Sequence, residues 1–354
     1  MVKVCQNFNL ATWGFKMKKI MDKKWLRFSV FAIIMAVVLV CLDVFVFVDF
    51  HYGNAYEKFY AEEENSLDLI SIGNSTVRNG IIPAEIWNEY GITSYNIVSA
   101  PTHPEVICIA INELARLQNP KVVYIDLQGL TEQKISDTEY FVTEYVKNMP
   151  DCEAKSNLIQ QYDFLQRNLK DNASYELFKN HNNYRNPEYM EMLFLGSGKE
   201  ALKGFVPFYE ITTQHKYELD MTTILELPND GKYYLQKIME TCNQYPEITF
   251  VFGKMPRCLN DKIVNQTYML RSAISTIEAN GYTYVEWEDM LDEIGFEYDK
   301  DFRDSHHLNV YGAQKFTKFY ADYLIDNYGL FASSKSESIT QNFDVCYKNY
   351  LKCI

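Results

Sequence analysis

The chain has 354 residues, of which 47% are hydrophobic and 15% aromatic, and a formal net charge of -13. This length allows one large α/β domain plus an anchor, or two small domains, and the apolar share excludes a disordered chain. Residues 1–27 hold Lys3, Lys16, Lys18, Lys19, Lys23, Lys24 and Arg27 against Asp22 alone, a net of +6 that leaves -19 for the rest. An acidic body without a basic stripe repels phosphates, which excludes nucleic acid as a partner.

The basic segment 1–27 runs into Phe28–Leu42, which carries no charge, then Asp43, then the apolar Val44–Val48. As a helix, 28–48 would span about 31 Å, close to the hydrocarbon thickness of a bilayer. Basic residues before the span and Glu57, Glu62, Glu63 and Glu64 after it predict a single-pass signal-anchor in the cell membrane. The N-terminus would then be cytoplasmic and the remaining chain extracytoplasmic. Asp43 lies near the outer end, where it can reach water. A cleaved signal peptide and a buried core helix are the alternatives. Gly53-Asn54-Ala55 is a poor cleavage site, and no other segment has so long an uncharged run.

Residues 49–65 are polar and acidic and predict a helical stalk. Leu67–Gly73 is a short apolar run closed by glycine, the pattern of a buried strand. Pro83–Tyr90 predicts a helix ended by Gly91, Ser94–Val98 a second strand, and Pro104–Leu117 a helix stopped before Asn119-Pro120. Val122–Leu127 is the third strand. Residues 131–228 break this rhythm and predict an insertion, a cap or partner surface, with helical patches at Glu153–Leu169 and Pro187–Leu193. Lys232–Cys242 is helical, Ile248–Phe252 is a fourth strand, and Lys262–Ala279 is a helix closed by Asn280-Gly281. Tyr282–Val285 is a fifth strand, Trp287–Ile294 a helix, Val310–Tyr328 a long helix, and 331–354 a polar tail. Strands alternating with helices imply a parallel sheet covered on both faces, with one domain over 66–330. Reactive residues in such sheets collect at the carboxyl ends of the strands.

Of the eight cysteines, Cys5 falls before the predicted span and Cys41 within it, and none of the others has CxxC spacing. Cys346 with Cys353, and Cys242 with Cys258, could pair, or all could be free and buried. Leu195-Gly196-Ser197-Gly198-Lys199 lacks the first glycine of a phosphate loop and places Glu200 where a magnesium-binding hydroxyl belongs. His103 starts a helix, and His181 fits a solvated loop of the insertion. No histidine pair has metal-ligand spacing, so neither a metal nor another cofactor is expected.

The end of the first strand reads Gly73-Asn74-Ser75-Thr76. A glycine permits a sharp turn that can present the serine two positions later, although Ser75 could equally be a helix N-cap. The second cluster is Asp304-Ser305-His306-His307-Leu308-Asn309, just before the last long helix. A serine hydroxyl needs a neutral imidazole to accept its proton, and the imidazole needs a carboxylate to fix its tautomer. Spacing alone leaves His306 and His307 both open as the base.

Together the two clusters resemble the first and last blocks of the SGNH/GDSL hydrolase superfamily. The last block of that family, Asp-x-x-His, implies His307 as base and Asp304 as its partner, with Ser75 as nucleophile. The segments Ile72–Arg78, Ser94–Ser99, Lys121–Leu130 and Asp301–Phe319 resemble membrane-anchored members linked to cell-surface polymer acylation, of the D-alanyl-lipoteichoic acid biosynthesis and alginate acetylation type. The resemblance covers residues 65–130 and 230–328. It implies a three-layer α/β/α sandwich with a five-stranded parallel sheet. It also implies an esterase or O-acyltransferase acting on an acylated carbohydrate or cell-envelope polymer, with a membrane-bound acyltransferase as a possible partner. The family takes its oxyanion donors from the serine N–H, a second-block glycine and a third-block asparagine. Here those blocks read Asn96-Ile97-Val98-Ser99 and Asp126-Leu127-Gln128-Gly129. Asn74, Ser99 and Gln128 are therefore the candidate side-chain donors beside the Ser75 N–H. The missing glycine and asparagine also motivate the alternative of an inactive accessory protein that binds polymer or an acyltransferase.

Overall fold

A computed structural model describes residues 24–39, 53–98, 103–170, 202–215, 218–220, 222–258 and 260–354. The chain divides into two units, residues 1–49 with 171–190, and residues 50–170 with 191–354. In the first unit the described part is a helix at 24–39 with exposed side chains, Phe28, Phe31 and Ile34 among them. It takes in the first part of the span expected at 28–48, whose remainder lies outside the described residues. No helix among the described residues is long and apolar enough to cross a membrane.

The second unit begins with α1 (Gly53–Tyr60), β1 (Leu69–Gly73), α2 (Ser75–Gly80) and α3 (Pro83–Tyr90). β2 (Ser94–Val98), α4 (Pro104–Leu117) and β3 (Val122–Asp126) follow, then α5 (Thr138–Lys147), α6 (Glu153–Gln161) and α7 (Asp163–Lys170). The chain continues through α8 (Asn229–Cys242), β4 (Thr249–Gly253), α9 (Asp261–Arg271), α10 (Ile274–Ala279) and β5 (Thr283–Val285). It ends with α11 (Leu291–Ile294), α12 (Val310–Tyr328) and α13 (Glu337–Leu351).

The five strands form one all-parallel sheet in the order β2-β1-β3-β4-β5. Every residue of β1, β2 and β3 is buried, which is why these strands appear in the sequence as largely apolar runs, with Ser71, Ser94, Asn96 and Asp126 as buried polar exceptions. Alternate side chains separate into two cores. Ile70, Ile72, Ile97, Val123, Ile125 and Phe252 pack with Ile107, Ile111 and Leu114 of α4 and Ile238 of α8. Leu69, Val122, Tyr124 and Val251 pack with Ile86 of α3 and Phe316, Tyr320 and Leu324 of α12. Each fully buried aliphatic or aromatic side chain contributes roughly 1.5–3 kcal/mol. The result is an α/β sandwich with helices against both faces of the sheet.

Four segments differ from expectation. The described part of the stalk expected at 49–65 is not a spacer, since α1 buries Tyr56 and Phe59, and the Tyr56 ring packs tilted against Tyr145 at 4.6 Å. The insertion at 131–228 is not wholly a cap, because α5 gives Val142, Tyr145 and Val146 to the core. The predicted polar tail folds as α13, which buries Phe343, Cys346 and Tyr350 and joins Tyr350 to Glu85 of α3 at 2.6 Å. The helix expected at Lys262–Ala279 is broken by a turn at Ser272-Ala273. Cys108, Cys152, Cys242, Cys258, Cys346 and Cys353 are free thiols. The helical patch at 187–193, the glycine-rich 195–199 and His181 lie outside the described residues.

His103 is the N-cap of α4: its Nδ1 accepts the Glu105 N–H at 3.1 Å, and Nε2 meets Thr138 Oγ1 at 3.0 Å. The cap requires a neutral ring, and burial pushes the pKa of His103 down to about 4. The unfolded histidine titrates near 6.5, so between these values the unfolded chain binds a proton that the folded chain refuses. Stability should therefore fall as the pH drops from about 6.5 towards 4, and level off below that. His103→Asn keeps a capping oxygen and should remove this part of the acid sensitivity of the urea midpoint. A wild-type midpoint that is flat across that interval would refute the assignment.

Candidate active site

The order β2-β1-β3 places a reversal of connection between β1 and β3, the position where open α/β sheets bind ligands. Ser75 follows β1, and Gln128 follows β3. The turn after β1 is tight. A Cβ on Gly73 would sit 2.2 Å from Val77 Cγ2 and 3.1 Å from Asp126 Cβ, so a side chain there would force α2 away from the strand. Asn74, not Ser75, caps α2, and its Oδ1 accepts the Thr76 N–H at 2.7 Å and the Thr76 hydroxyl at 2.6 Å. Ser75 is thus the first helical residue, and its hydroxyl is left for other work.

The loop before α12 is held from both ends. Buried Asn309 caps α12 by accepting the Tyr311 and Gly312 N–H groups at 3.1 Å, while its amide donates to Lys300 O at 2.5 Å. Phe302 and Leu308 pair as an antiparallel bridge, and the Arg303 N–H donates to His307 O at 3.0 Å. Gly312 lets α12 approach this loop, since a Cβ there would lie 2.2 Å from Asp301 O. The hairpin so formed presents Asp304 and His307 on one side.

Ser75 Oγ lies 2.8 Å from His307 Nε2, and His307 Nδ1 lies 3.0 Å from both oxygens of Asp304. Asp304 Oδ1 also accepts the N–H groups of His306 at 2.7 Å and His307 at 2.9 Å. Burial raises the pKa of Asp304, but the His307 hydrogen bond and these backbone donors outweigh it and hold the carboxyl at about 2. An ionised carboxylate on Nδ1 fixes the proton there and leaves Nε2 as the acceptor facing Ser75. His306 is outside this chain of bonds; its Nδ1 meets Ser305 Oγ at 2.9 Å. Phe208, from the end of the insertion, packs edge-on to the His307 ring at 5.8 Å and lies under Arg303.

The candidate oxyanion donors have unequal positions. Because a backbone N–H can only donate, the Asn74 atom facing Thr76 must be oxygen, so its amide nitrogen points away. That nitrogen donates to Gln128 Oε1 at 2.6 Å. The same logic turns Gln128 Nε2 outward, where it has no partner among the described residues. Asn74 is therefore engaged in orienting Gln128, and Gln128 carries the free donor. Ser99 lies outside the described residues. The Ser75 N–H, at the first turn of α2, has no acceptor within the helix and is a second donor beside the Ser75 hydroxyl.

Two residues of this edge were not singled out from sequence. Fully buried Asp126 accepts the Gln128 N–H at 2.9 Å and the Met255 N–H at 2.8 Å, so one carboxylate ties together the loops after β3 and β4. A lone acid closing an apolar strand was the available signal. Arg257, in the loop after β4, is 2% exposed. Phe208 left no signal, because an irregular insertion does not reveal which of its residues returns to the site. Among the described residues no group of three or more His, Cys, Asp or Glu side chains is gathered for a metal. A cleft of about 370 Å³ between α3 and α12, lined by Glu85, Tyr90, Gln314 and Lys318, shares no residue with the triad.

No family model, curated protein or solved structure matches the chain.

Proposed function

We propose that this chain is a serine esterase or O-acyltransferase of the SGNH/GDSL kind, acting on an acylated carbohydrate or cell-envelope polymer. The observation that carries this reading is the bonded series from Ser75 Oγ through His307 to Asp304, built from residues 232 positions apart in the chain. Ser75 Oγ attacks the ester carbonyl carbon as His307 Nε2 takes its proton. The carbonyl oxygen, now negative, is held by the Ser75 N–H and Gln128 Nε2. His307 then gives its proton to the departing alcohol oxygen, and the acyl group remains on Ser75. Water attacking that acyl group, with its proton passing to His307, gives hydrolysis; a sugar hydroxyl gives transfer. The basic segment 1–27 and the uncharged run after it support a membrane-anchored, extracytoplasmic placement, and the resemblance supports a membrane acyltransferase as partner.

A fluorophosphonate probe should label the wild type and not Ser75→Ala. Folded wild type that takes no label would instead favour the inactive accessory reading. Gln128→Ala should lower kcat by about 100- to 1,000-fold with little change in KM, the cost of one oxyanion donor. Gln128→Glu, which puts a negative oxygen or a second acceptor at that place, should do no better. Unchanged kcat in both would remove Gln128 from the mechanism.

A further inference from the structure

The two histidines of the triad loop share one stretch of backbone but not one task. His307 is engaged at both ring nitrogens, with Ser75 and with Asp304. His306 is engaged at one. Its Nδ1 meets Ser305 Oγ at 2.9 Å, and its backbone N–H is held by Asp304 Oδ1 at 2.7 Å. Its Nε2 has no partner among the described residues, and unlike the unpartnered nitrogens of Arg257 it is not sealed from solvent. The His306 ring is half-buried, and its centroid lies 6.2 Å from that of His307. The Asp304 side chain in the same loop is 43% exposed, so this part of the loop faces solvent rather than core. Ser305 and Asp304 thus hold in place, beside the proposed base, a ring with one nitrogen left over.

Partial burial and the positive field of Arg257 lower the His306 pKa, so the ring is neutral at neutral pH. A neutral imidazole has one donor nitrogen and one acceptor nitrogen. If Ser305 donates to Nδ1, Nε2 carries the proton and donates; if Ser305 accepts, Nε2 is bare and accepts. A hydroxyl satisfies either tautomer, because it can both accept and donate. A carboxylate or phosphate satisfies only the first, and the charge of -19 beyond residue 27 repels it. An ammonium satisfies only the second. We infer that His306 is a specificity residue whose Nε2 binds a hydroxyl of the molecule that takes the acyl group from Ser75. One hydroxyl oxygen of that acceptor bonds the acyl carbon and gives its proton to His307 Nε2. The bond from the acyl carbon to Ser75 Oγ breaks, and the proton passes on to Oγ. His306 meanwhile holds a second hydroxyl of the same molecule, so the site selects polyhydroxyl acceptors over simple alcohols and water. This rests on the proposed serine chemistry and narrows its second step to transfer onto a polyol such as a sugar.

The partition of one acyl-enzyme measures this selection whatever the rate at which that intermediate forms. Phenyl acetate supplies the acetyl group, and ethanol or glycerol, at equal hydroxyl concentration, competes with water for it. The readout is the ratio of new acetyl ester to free acetate. In wild type that ratio should be about 10-fold higher with glycerol than with ethanol, the worth of one hydrogen bond. In His306→Leu the preference should disappear, and in His306→Gln, which keeps a side-chain amide there, part of it should return. A structural lesion would slow acylation and leave the preference alone. Equal ratios for the two alcohols in wild type would overturn the inference, as would a preference that survives His306→Leu. Nitrogen NMR on Ser75→Ala needs neither turnover nor a substitution at 306. Glycerol should shift the His306 ring signals saturably and ethanol should not; equal shifts, or none, overturn the proposal. A glycerol-specific shift in a protein whose wild type takes no fluorophosphonate label keeps the hydroxyl site and rejects the esterase. Labelling and phenyl acetate turnover, with neither preference nor shift, do the reverse.

Discussion

Ser75→Ala should lower ester turnover by about 10⁴- to 10⁶-fold, and His307→Gln should lower it by a similar factor. Ser75 supplies the only atom that would become bonded to the acyl group, and His307 Nε2, 2.8 Å away, is the group placed to take its proton. Because the two act in one step, the double variant should be little worse than either single one. Stability should hardly change, which keeps the experiment clean. The cap of α2 is Asn74, whose oxygen bonds the Thr76 N–H and hydroxyl whether or not residue 75 has a hydroxyl. The loop around His307 is held by backbone bonds from Arg303 and to Asp304, which glutamine preserves. The measurement is kcat on a small neutral ester, with the thermal midpoint as the control for folding. Ser75→Ala turning over at the wild-type rate would remove the triad from the mechanism.

The sheet was legible because its strands are buried on both faces. Leu69, Ile70 and Ile72, and Val122–Ile125, put apolar side chains on both faces of the sheet, with Ser71 the one interruption, and glycine or proline lies at or near an end of each of these runs. The loop Asp304–His307 and the serine after β1 were legible because a triad needs fixed residue types, and parallel sheets fix where they stand. What lay beyond sequence was mostly a matter of partners. In α1 and α13 only a few apolar residues, such as Tyr56, Phe59, Phe343 and Tyr350, meet the core, and in a polar segment so sparse a stripe reads as spacer or tail. Asn74 and Gln128 were both visible as amides, yet the direction of their bond follows from the Thr76 N–H, which only coordinates supply. Ser75 as an N-cap was a fair expectation until Asn74 was seen to occupy that role. Arg257 shows the same limit most sharply. A sequence displays that charge but cannot display that it is buried with no ion pair among the described residues.

Asp304→Asn should cost about 10⁴-fold in kcat while leaving the fold intact. The reason lies in the backbone rather than in charge alone. Asp304 Oδ1 accepts the His306 and His307 N–H groups, which can only donate, so an asparagine at 304 would turn its oxygen to them. Its NH₂ would then face His307 Nδ1, the atom now 3.0 Å from Asp304 Oδ2. A donor in that place stabilises the tautomer with Nδ1 bare and the proton on Nε2. That nitrogen can no longer accept the proton of Ser75, although the Ser75–His307 distance need not change. Nitrogen NMR of the His307 ring supplies the check that activity alone cannot: wild type should carry the proton on Nδ1, and Asp304→Asn on Nε2. Asp304→Glu keeps the charge but displaces the carboxylate from the two N–H groups, so it should be impaired without the tautomer exchange. If Asp304→Asn retains wild-type kcat, or loses it with the proton still on Nδ1, then orientation of the imidazole is not what Asp304 provides.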